Sequence, residues 1–294
     1  VCGKAHAEVN AINSVKPADR QLLSDSTLYV SLEPCSHYGK TPPCARLIIK
    51  TGIPRVVVGC VDPFAKVQGR GITMLREAGI EVEVGVLEAE CRALNRRFIT
   101  AQTLHRPYIT LKWARSADGF IDGWREDDSQ GAAQISTPWS LMRVHQLRAM
   151  NQAILVGHNT LRMDHPQLNV RHWAGGNQPL RVVLGRVAEE ELPTGWLAYA
   201  DISTALSELY HMGVQSVLVE GGQQTLQSFI DQGLWDEAYV EYSPTTLGSG
   251  VPEPRMPVGV MLTEEQYFGR TIWHYEADNL QDFEAKELTS EIEE

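Results

Sequence analysis

The feature that most restricts the fold of this 294-residue chain is a set of metal-binding residue types near its start. His6 is followed two residues later by Glu8, and Pro34-Cys35 is separated by eight residues from Cys44. One imidazole and two thiolates fill three positions of a tetrahedral zinc ion, and catalytic zinc sites keep the fourth position open for water. Since the three ligands must meet at one ion, the fold has to bring the first residues beside the segment 35–44.

Glu8 is a candidate proton carrier, because it lies close to a zinc ligand without being needed as one. A His-x-Glu segment followed by Pro-Cys and a second Cys is typical of zinc deaminases that act on amino-heterocycles. In deaminases of nucleosides and nucleic acids the two cysteines are usually two residues apart, so the longer spacing here indicates another substrate. The alternative is that Cys35 and Cys44 are ordinary buried or surface thiols and that His6 is a core histidine.

Composition favours a cytoplasmic enzyme with a small-molecule substrate. A net charge of −11 disfavours binding to nucleic acid, whose phosphates attract basic surfaces. The five cysteines show no disulfide-framework spacing, which favours a reducing compartment. No apolar run approaches the roughly 18 residues that span a bilayer, and no cleavable signal is visible, so no membrane partner is expected. The sequence leaves open whether the protein forms a homo-oligomer.

Helix and strand patterns alternate over the first third of the chain. Helices are predicted at 7–14, 45–51, 71–78 and 88–102, and strands at 27–32, 55–60 and 81–86. This order predicts an α/β sandwich with the zinc ligands at one end of its sheet. A new strand begins at residue 108, and we place the domain boundary before it, giving domains 1–103 and 104–294.

The second domain has a glycine turn between a strand and a helix. The apolar strand 216–219 is followed by Glu220-Gly221-Gly222 and then by a helix. Free backbone N–H groups at such a helix start can hold a pyrophosphate, although a plain βα turn would look the same. No Gly-x-Gly-x-x-Gly segment follows a strand, which argues against a Rossmann dinucleotide site.

The string 32–44, Leu-Glu-Pro-Cys-Ser-His-Tyr-Gly-Lys-Thr-Pro-Pro-Cys, closely resembles the deaminase half of the bifunctional riboflavin-biosynthesis enzymes of the RibD family. Segments around residues 112–119, 145–149, 157–171 and 220–222 resemble, in the same order, the reductase half. The resemblance implies a cytidine-deaminase-like domain followed by a dihydrofolate-reductase-like domain, with Zn²⁺ and NADPH as cofactors. It implies hydrolytic deamination of 2,5-diamino-6-(5-phosphoribosylamino)pyrimidin-4-one, and then reduction of the ribosyl group to ribityl.

The resemblance also implies roles for individual residues. In the deaminase half, zinc is held by His6, Cys35 and Cys44, Glu8 is catalytic, and substrate is bound by His37 and Lys40. In the reductase half, Asp164 is catalytic and orients the nicotinamide and the sugar. Further substrate contacts are implied for Arg148, Leu168, Arg171 and Glu220. Cofactor contacts are implied for Ala114, Thr160, Asp164, Gly222, Gln223, Gln224, Thr225, Leu226, Gln227 and Ser228.

Two departures from the family pattern are visible. Ala132 and Gln134 stand where many members have serine and tryptophan contacts, and Ser136 is a candidate replacement. The chain begins at Val1 without the helix, two strands and Asn-Pro loop that precede the His-Ala-Glu segment in the family, so we expect an N-terminally incomplete deaminase domain. Three alternatives therefore stay open: a reductase with an impaired deaminase domain, a zinc deaminase of other bases with an unrelated second domain, and a non-catalytic zinc scaffold.

Overall fold

The computed structural model describes residues 5–38, 42–64 and 68–277. The chain divides into two compact units, Val1–His105 and Arg106–Glu294. The boundary predicted after residue 103 lies within the last turn of the helix that precedes the observed division. Among the helices in the described ranges, none combines the length and the hydrophobicity needed to cross a membrane.

The first unit alternates helices with parallel strands. Its helices are α1 (Ala7–Ser14), α2 (Cys44–Thr51), α3 (Arg70–Glu77) and α4 (Glu88–Leu104), and its strands are β1 (Thr27–Leu32), β2 (Arg55–Cys60) and β3 (Glu81–Val84). A 3-10 helix, Pro17–Asp25, joins α1 to β1. β2 lies between β1 and β3, and both pairings are parallel. The predicted α/β class is confirmed.

The core of the first unit is built around β2. Val56 and Val58 of this strand pack with Ile48 of α2 and Leu75 of α3, and all four side chains are buried. Strand β3 ends two residues earlier than predicted, because Gly85 has a φ of 88° and turns the chain away from the sheet.

A buried carboxylate ties the end of β1 to the start of α3. Glu33 is 3% exposed and accepts four backbone N–H bonds, from Asp62, Gly69, Gly71 and Ile72. A Cβ at position 71 would collide with the carbonyl oxygen of Pro34, so only glycine allows this approach. Because Glu33 directly precedes Pro34-Cys35, these bonds also fix the segment that carries one zinc ligand candidate.

The second unit contains one large mixed sheet. Its strands are β4 (Tyr108–Arg115), β6 (Ala153–Gly157), β7 (Leu180–Leu184), β8 (Trp196–Tyr199), β9 (Ser216–Val219), β10 (Glu237–Tyr242), β12 (Met261–Tyr267) and β13 (Arg270–Glu276). They lie in the order β12-β13-β10-β4-β9-β6-β7-β8, and β5 (Phe120–Asp122) pairs separately with β11 (Val251–Pro252). The helices are α5 (Pro138–Met150), α6 (His158–Asp164), α7 (Ile202–His211) and α8 (Gln223–Asp231).

Helices cover both faces of this sheet. One face packs against α7 and α8, where Leu209 and Phe229 are fully buried. The other face packs against α5 and α6 through Leu147 and Leu161. Strands β4, β9, β6 and β7 run parallel to one another, so their carboxyl ends meet along one edge. In such sheets, ligands bind in the crevice at this edge.

Candidate functional site

The three predicted zinc ligands lie together in the first unit. The Nδ1 atom of His6 is 3.6 Å from Sγ of Cys35 and 3.4 Å from Sγ of Cys44. A tetrahedral zinc with ordinary Zn–N and Zn–S bond lengths separates such ligand atoms by about 3.6 Å. The donor set of one imidazole and two thiols therefore fits zinc in both chemistry and spacing.

Local folding explains why these residues meet. His6 is the N-cap of α1, Cys44 is the first residue of α2, and Cys35 follows the end of β1. The backbone N–H of Cys44 donates to Sγ of Cys35 over 3.3 Å. The hydrogen bond from the Cys44 side chain lowers the pKa of the Cys35 thiol to about 5, and the charge of His6 acts in the same direction. A lowered pKa favours the thiolate, which is the form that binds a metal.

The side chains around this centre include a carboxylate and an unbonded imidazole nitrogen. Glu8 lies in the first turn of α1, and its carboxylate is within hydrogen-bonding reach of the Cys44 thiol. His37 packs edge-on against Phe64, with ring centroids 5.7 Å apart. Its Nδ1 is buried and has no hydrogen-bond partner among the described residues. The predicted substrate residue Lys40 lies outside the described residues.

In the second unit, two strand-to-helix turns converge at the carboxyl ends of β6 and β9. A Cβ on Gly157 or Gly221 would collide with the Thr225 side chain, so the glycines let the start of α8 approach the β6–α6 turn. A Cβ on Gly222 would lie 3.6 Å from Oγ1 of Thr160. The structure therefore brings Thr160 and the predicted phosphate-binding segment together.

Three residues of the predicted phosphate-binding segment, 222–228, have partners within the protein. Leu226 is fully buried in the core, and its backbone N–H donates to the Gly222 carbonyl. Its contact with the cofactor stays a prediction. The Gln227 side chain is bonded to the backbone of Arg255. The Ser228 hydroxyl donates to the carbonyl of the preceding helical turn. Contact of residues 222–228 with the cofactor is implied by the family resemblance, and the structure does not test it. The backbone N–H groups of Gln223, Gln224 and Thr225 stay as candidates.

A cavity of about 280 Å³ lies at the carboxyl ends of β4 and β9. It is lined by the predicted residues Ala114 and Glu220 and by Gln134, one of the two positions that depart from the family pattern. Lys112 also lines it and was not among the predicted site residues, because a lysine on a strand has no distinguishing spacing. Ser136 reaches the same cavity, but its hydroxyl donates to Glu241 over 2.6 Å.

The predicted substrate residues Arg148 and Glu220 form a bidentate ion pair with each other. Two guanidinium nitrogens of Arg148 donate to the Glu220 carboxylate over 2.8 and 2.7 Å, and both side chains are nearly buried. Burial by itself would raise the pKa of Glu220, but the Arg148 charge holds this pKa below its usual range. Burial lowers the pKa of the neighbouring His145 to about 4, and Arg148 adds to this effect. The pair therefore presents a fixed carboxylate beside a neutral imidazole.

The predicted reductase residues Asp164, Leu168 and Arg171 do not line this cavity. Asp164, at the end of α6, accepts a 2.7 Å bond from Arg125, a partner that no sequence signal identified. Leu168 has a φ of 48° and is 3% exposed, and its side chain packs in the core. Its contact with substrate stays a prediction. The exposed Arg171 is bonded through Nη1 to Asn169 over 2.8 Å. A direct substrate contact by Arg148 or Arg171 stays a prediction.

Comparison with known protein families gives a match in each unit. Residues 107–264 match the RibD C-terminal domain, and residues 2–60 match the zinc-binding region of cytidine and deoxycytidylate deaminases. The predicted fold, a cytidine-deaminase-like region followed by a dihydrofolate-reductase-like reductase domain, is confirmed.

Individual relatives resemble the chain over most of its length. The riboflavin biosynthesis protein RibD of Aquifex aeolicus is 37% identical over 85% of this chain and 76% of its own. A solved Thermotoga maritima diaminohydroxyphosphoribosylaminopyrimidine deaminase/5-amino-6-(5-phosphoribosylamino)uracil reductase is 33% identical, with a TM-score of 0.80 over 93% of this chain and 85% of its own. RibD of Acinetobacter baumannii gives a TM-score of 0.80 at 30% identity, over 94% and 86% of the two chains. The chain belongs to the RibD family of riboflavin biosynthesis proteins.

Proposed function

We propose that this protein deaminates a phosphorylated diaminopyrimidine in its first unit and then reduces the ribosyl group of the product in its second. It is a deaminase and a reductase of riboflavin biosynthesis. The observation on which the proposal depends most is the His6, Cys35 and Cys44 triad at zinc spacing with Glu8 beside it. The substrate, 2,5-diamino-6-(5-phosphoribosylamino)pyrimidin-4-one, and the residue roles below are part of the proposal.

In the deaminase unit, His6, Cys35 and Cys44 would hold zinc, which supplies a Lewis acid that makes water nucleophilic near neutral pH. The Glu8 carboxylate takes a proton from the attacking water and passes it to the departing amino group, so that ammonia leaves. The unbonded Nδ1 of His37 offers a hydrogen-bonding position for the substrate. Lys40 is proposed to contact the substrate phosphate.

In the reductase unit, a nicotinamide cofactor supplies the hydride when bound. The proposed seat for its phosphates is the start of α8, where the N–H groups of residues 223–225 point out of the helix end. Thr160 and Asp164 face the same crevice from α6 in this proposal, and Ala114 lines the cavity beside it. The Glu220 carboxylate, fixed by Arg148, and the Lys112 ammonium both line the cavity and are placed to hold hydroxyl groups of the sugar.

We propose NADPH rather than NADH because of a cation at the end of β7. β7 pairs with β6, and Gly185 closely approaches His158 at the start of α6. Arg186, the next residue, is exposed and makes no ion pair with any described residue. A guanidinium at this edge matches the 2′-phosphate by which NADPH differs from NADH.

The experiment supplies the purified protein with the diaminopyrimidine phosphate and NADPH, and follows ammonia release and NADPH oxidation. In a Glu8→Gln variant, ammonia release should fall by about 100-fold or more, because the proton carrier is lost. Zinc content should stay at the wild-type value, and NADPH oxidation with the already deaminated substrate should be unchanged. The exposed Glu77→Gln variant on α3 is the matched control and should behave as wild type.

The open alternatives give different results in the same assays. NADPH oxidation with deaminated substrate but no ammonia release from wild-type protein would identify a reductase alone. Ammonia release without NADPH oxidation would leave the reductase half of the proposal wrong. A protein that binds zinc but shows neither ammonia release nor NADPH oxidation would be a non-catalytic zinc scaffold.

A further inference from the structure

A second groove in the reductase unit lies apart from the cavity that contains Glu220. It has a volume of about 590 Å³, and no residue that lines it also lines the smaller cavity. We call it the α6 groove, because α6 and its C-cap residue form one wall. This wall consists of His158, Leu161, Arg162 and the C-cap His165. Arg181, at the start of β7, and Trp196, at the start of β8, line it as well.

The α6 groove is positively charged. Arg162 and Arg181 line it, and the single carboxylate in its lining, Glu191, is 3.3 Å from the ring of His158. Arg162 is bonded only to a neutral amide among the described residues, that of Asn159 at 3.2 Å. A small ligand in this groove therefore meets two guanidinium groups that no carboxylate among the described residues neutralises.

One of these guanidinium groups has an unused donor. The Nε atom of Arg181 is buried and has no hydrogen-bond partner among the described residues. A buried N–H without an acceptor is costly. Because the Arg181 side chain lines the groove, an anion bound there would compensate the charge of this guanidinium. Arg181 also makes no ion pair in the described part of the chain.

The remaining walls are apolar. Leu161, Pro166, Pro193 and Trp196 line the groove, and its volume lies in the range of pockets that hold drug-sized molecules. A bare inorganic anion would leave most of this surface without contact. We propose that the α6 groove binds a ring-bearing monophosphate of the nucleotide class, with its phosphate at Arg162 and Arg181 and its ring against the apolar wall.

The test uses the full-length protein saturated with NADPH, so that the cofactor crevice is filled. Riboflavin 5′-phosphate and adenosine 5′-monophosphate are titrated separately, the first by its fluorescence and both by calorimetry. At least one should bind saturably. Arg181→Met and Arg162→Met should each weaken that binding by about tenfold or more, because each removes a charged hydrogen bond. Arg20→Met, at an exposed position of the first unit, should leave it unchanged.

Several results would overturn the proposal. The proposal fails if neither probe binds, or if a probe binds only when NADPH is left out. It also fails if the arginine variants bind the probes as tightly as wild type. Equal affinity for inorganic phosphate would refute the ring contact, and equal affinity for riboflavin would refute the phosphate contact. If Arg181→Met fails to fold, Arg162→Met decides, because its side chain lies on the exposed surface of α6.

Discussion

Replacing Glu33 by Gln should destabilise the deaminase unit without affecting the reductase unit. In the native protein, Oε1 accepts bonds from Gly71 and Ile72 at 2.8 and 3.3 Å, and Oε2 accepts bonds from Gly69 and Asp62 at 2.9 and 3.2 Å. A glutamine keeps one oxygen but turns the other into an NH₂ group that faces two N–H donors. Two bonds to a charged acceptor are lost, which costs about 3 kcal/mol or more.

Hydrogen exchange of the zinc-free protein measures this loss in the deaminase unit. The amides of β2 are in its core, so they should exchange about 100-fold faster in Glu33→Gln than in wild type. All seven tryptophans lie between residues 113 and 273, so urea unfolding followed by tryptophan fluorescence reports the reductase unit and should not change. Zinc affinity should also fall, because Glu33 holds the segment that leads to Cys35.

Glu81→Gln is the matched control for this substitution. Its side chain is 72% exposed and forms only a surface ion pair with Arg55, so the expected loss is below about 1 kcal/mol. The reasoning would be refuted if β2 exchanged at the same rate in Glu33→Gln and Glu81→Gln, or if the tryptophan transition moved as far as the exchange rates.

Three further predictions concern the reductase unit. Glu220→Gln leaves the buried Arg148 without its carboxylate and should lower the free energy of unfolding by about 3 kcal/mol, measured by tryptophan fluorescence in urea; an unchanged midpoint would contradict it. The pKa of His145 is about 4 in the folded protein against 6.5 ordinarily, so the unfolded chain binds its proton first and stability should fall as the pH drops from 6.5 to 4. His145→Gln should flatten that dependence, and an equal slope in both proteins would contradict the assignment. Arg186→Ser should raise KM for NADPH about tenfold or more and leave KM for NADH unchanged; a parallel change in both would exclude contact with the 2′-phosphate.

The secondary structure of the first unit was largely predictable because it depends on local signals. Gly52, with a φ of 73°, ends α2, and the continuous apolar run 56–58 forms the buried strand β2. The end of β3 was predicted two residues too late, because the hydrophobic pattern did not reveal the turn at Gly85.

Side-chain partners in the candidate sites were less predictable. Arg148 and Glu220 were both expected to contact substrate, but they are 72 residues apart and bind each other. Arg125 and Asp164 are 39 residues apart and also form a pair. Such partners are decided by which strands become neighbours in the sheet, and no local pattern encodes that order.

The chemistry of the metal centre and the alternation of helices and strands follow from the amino-acid sequence alone, because ligand types and hydrophobic periods are local properties of the chain. The folded structure was needed to show that Glu33 anchors the segment before Cys35, that Leu226 belongs to the core, and that two arginines without an ion-pair partner among the described residues line the α6 groove. Burial and hydrogen bonding depend on which distant segments pack together, and that packing appears only in the folded molecule.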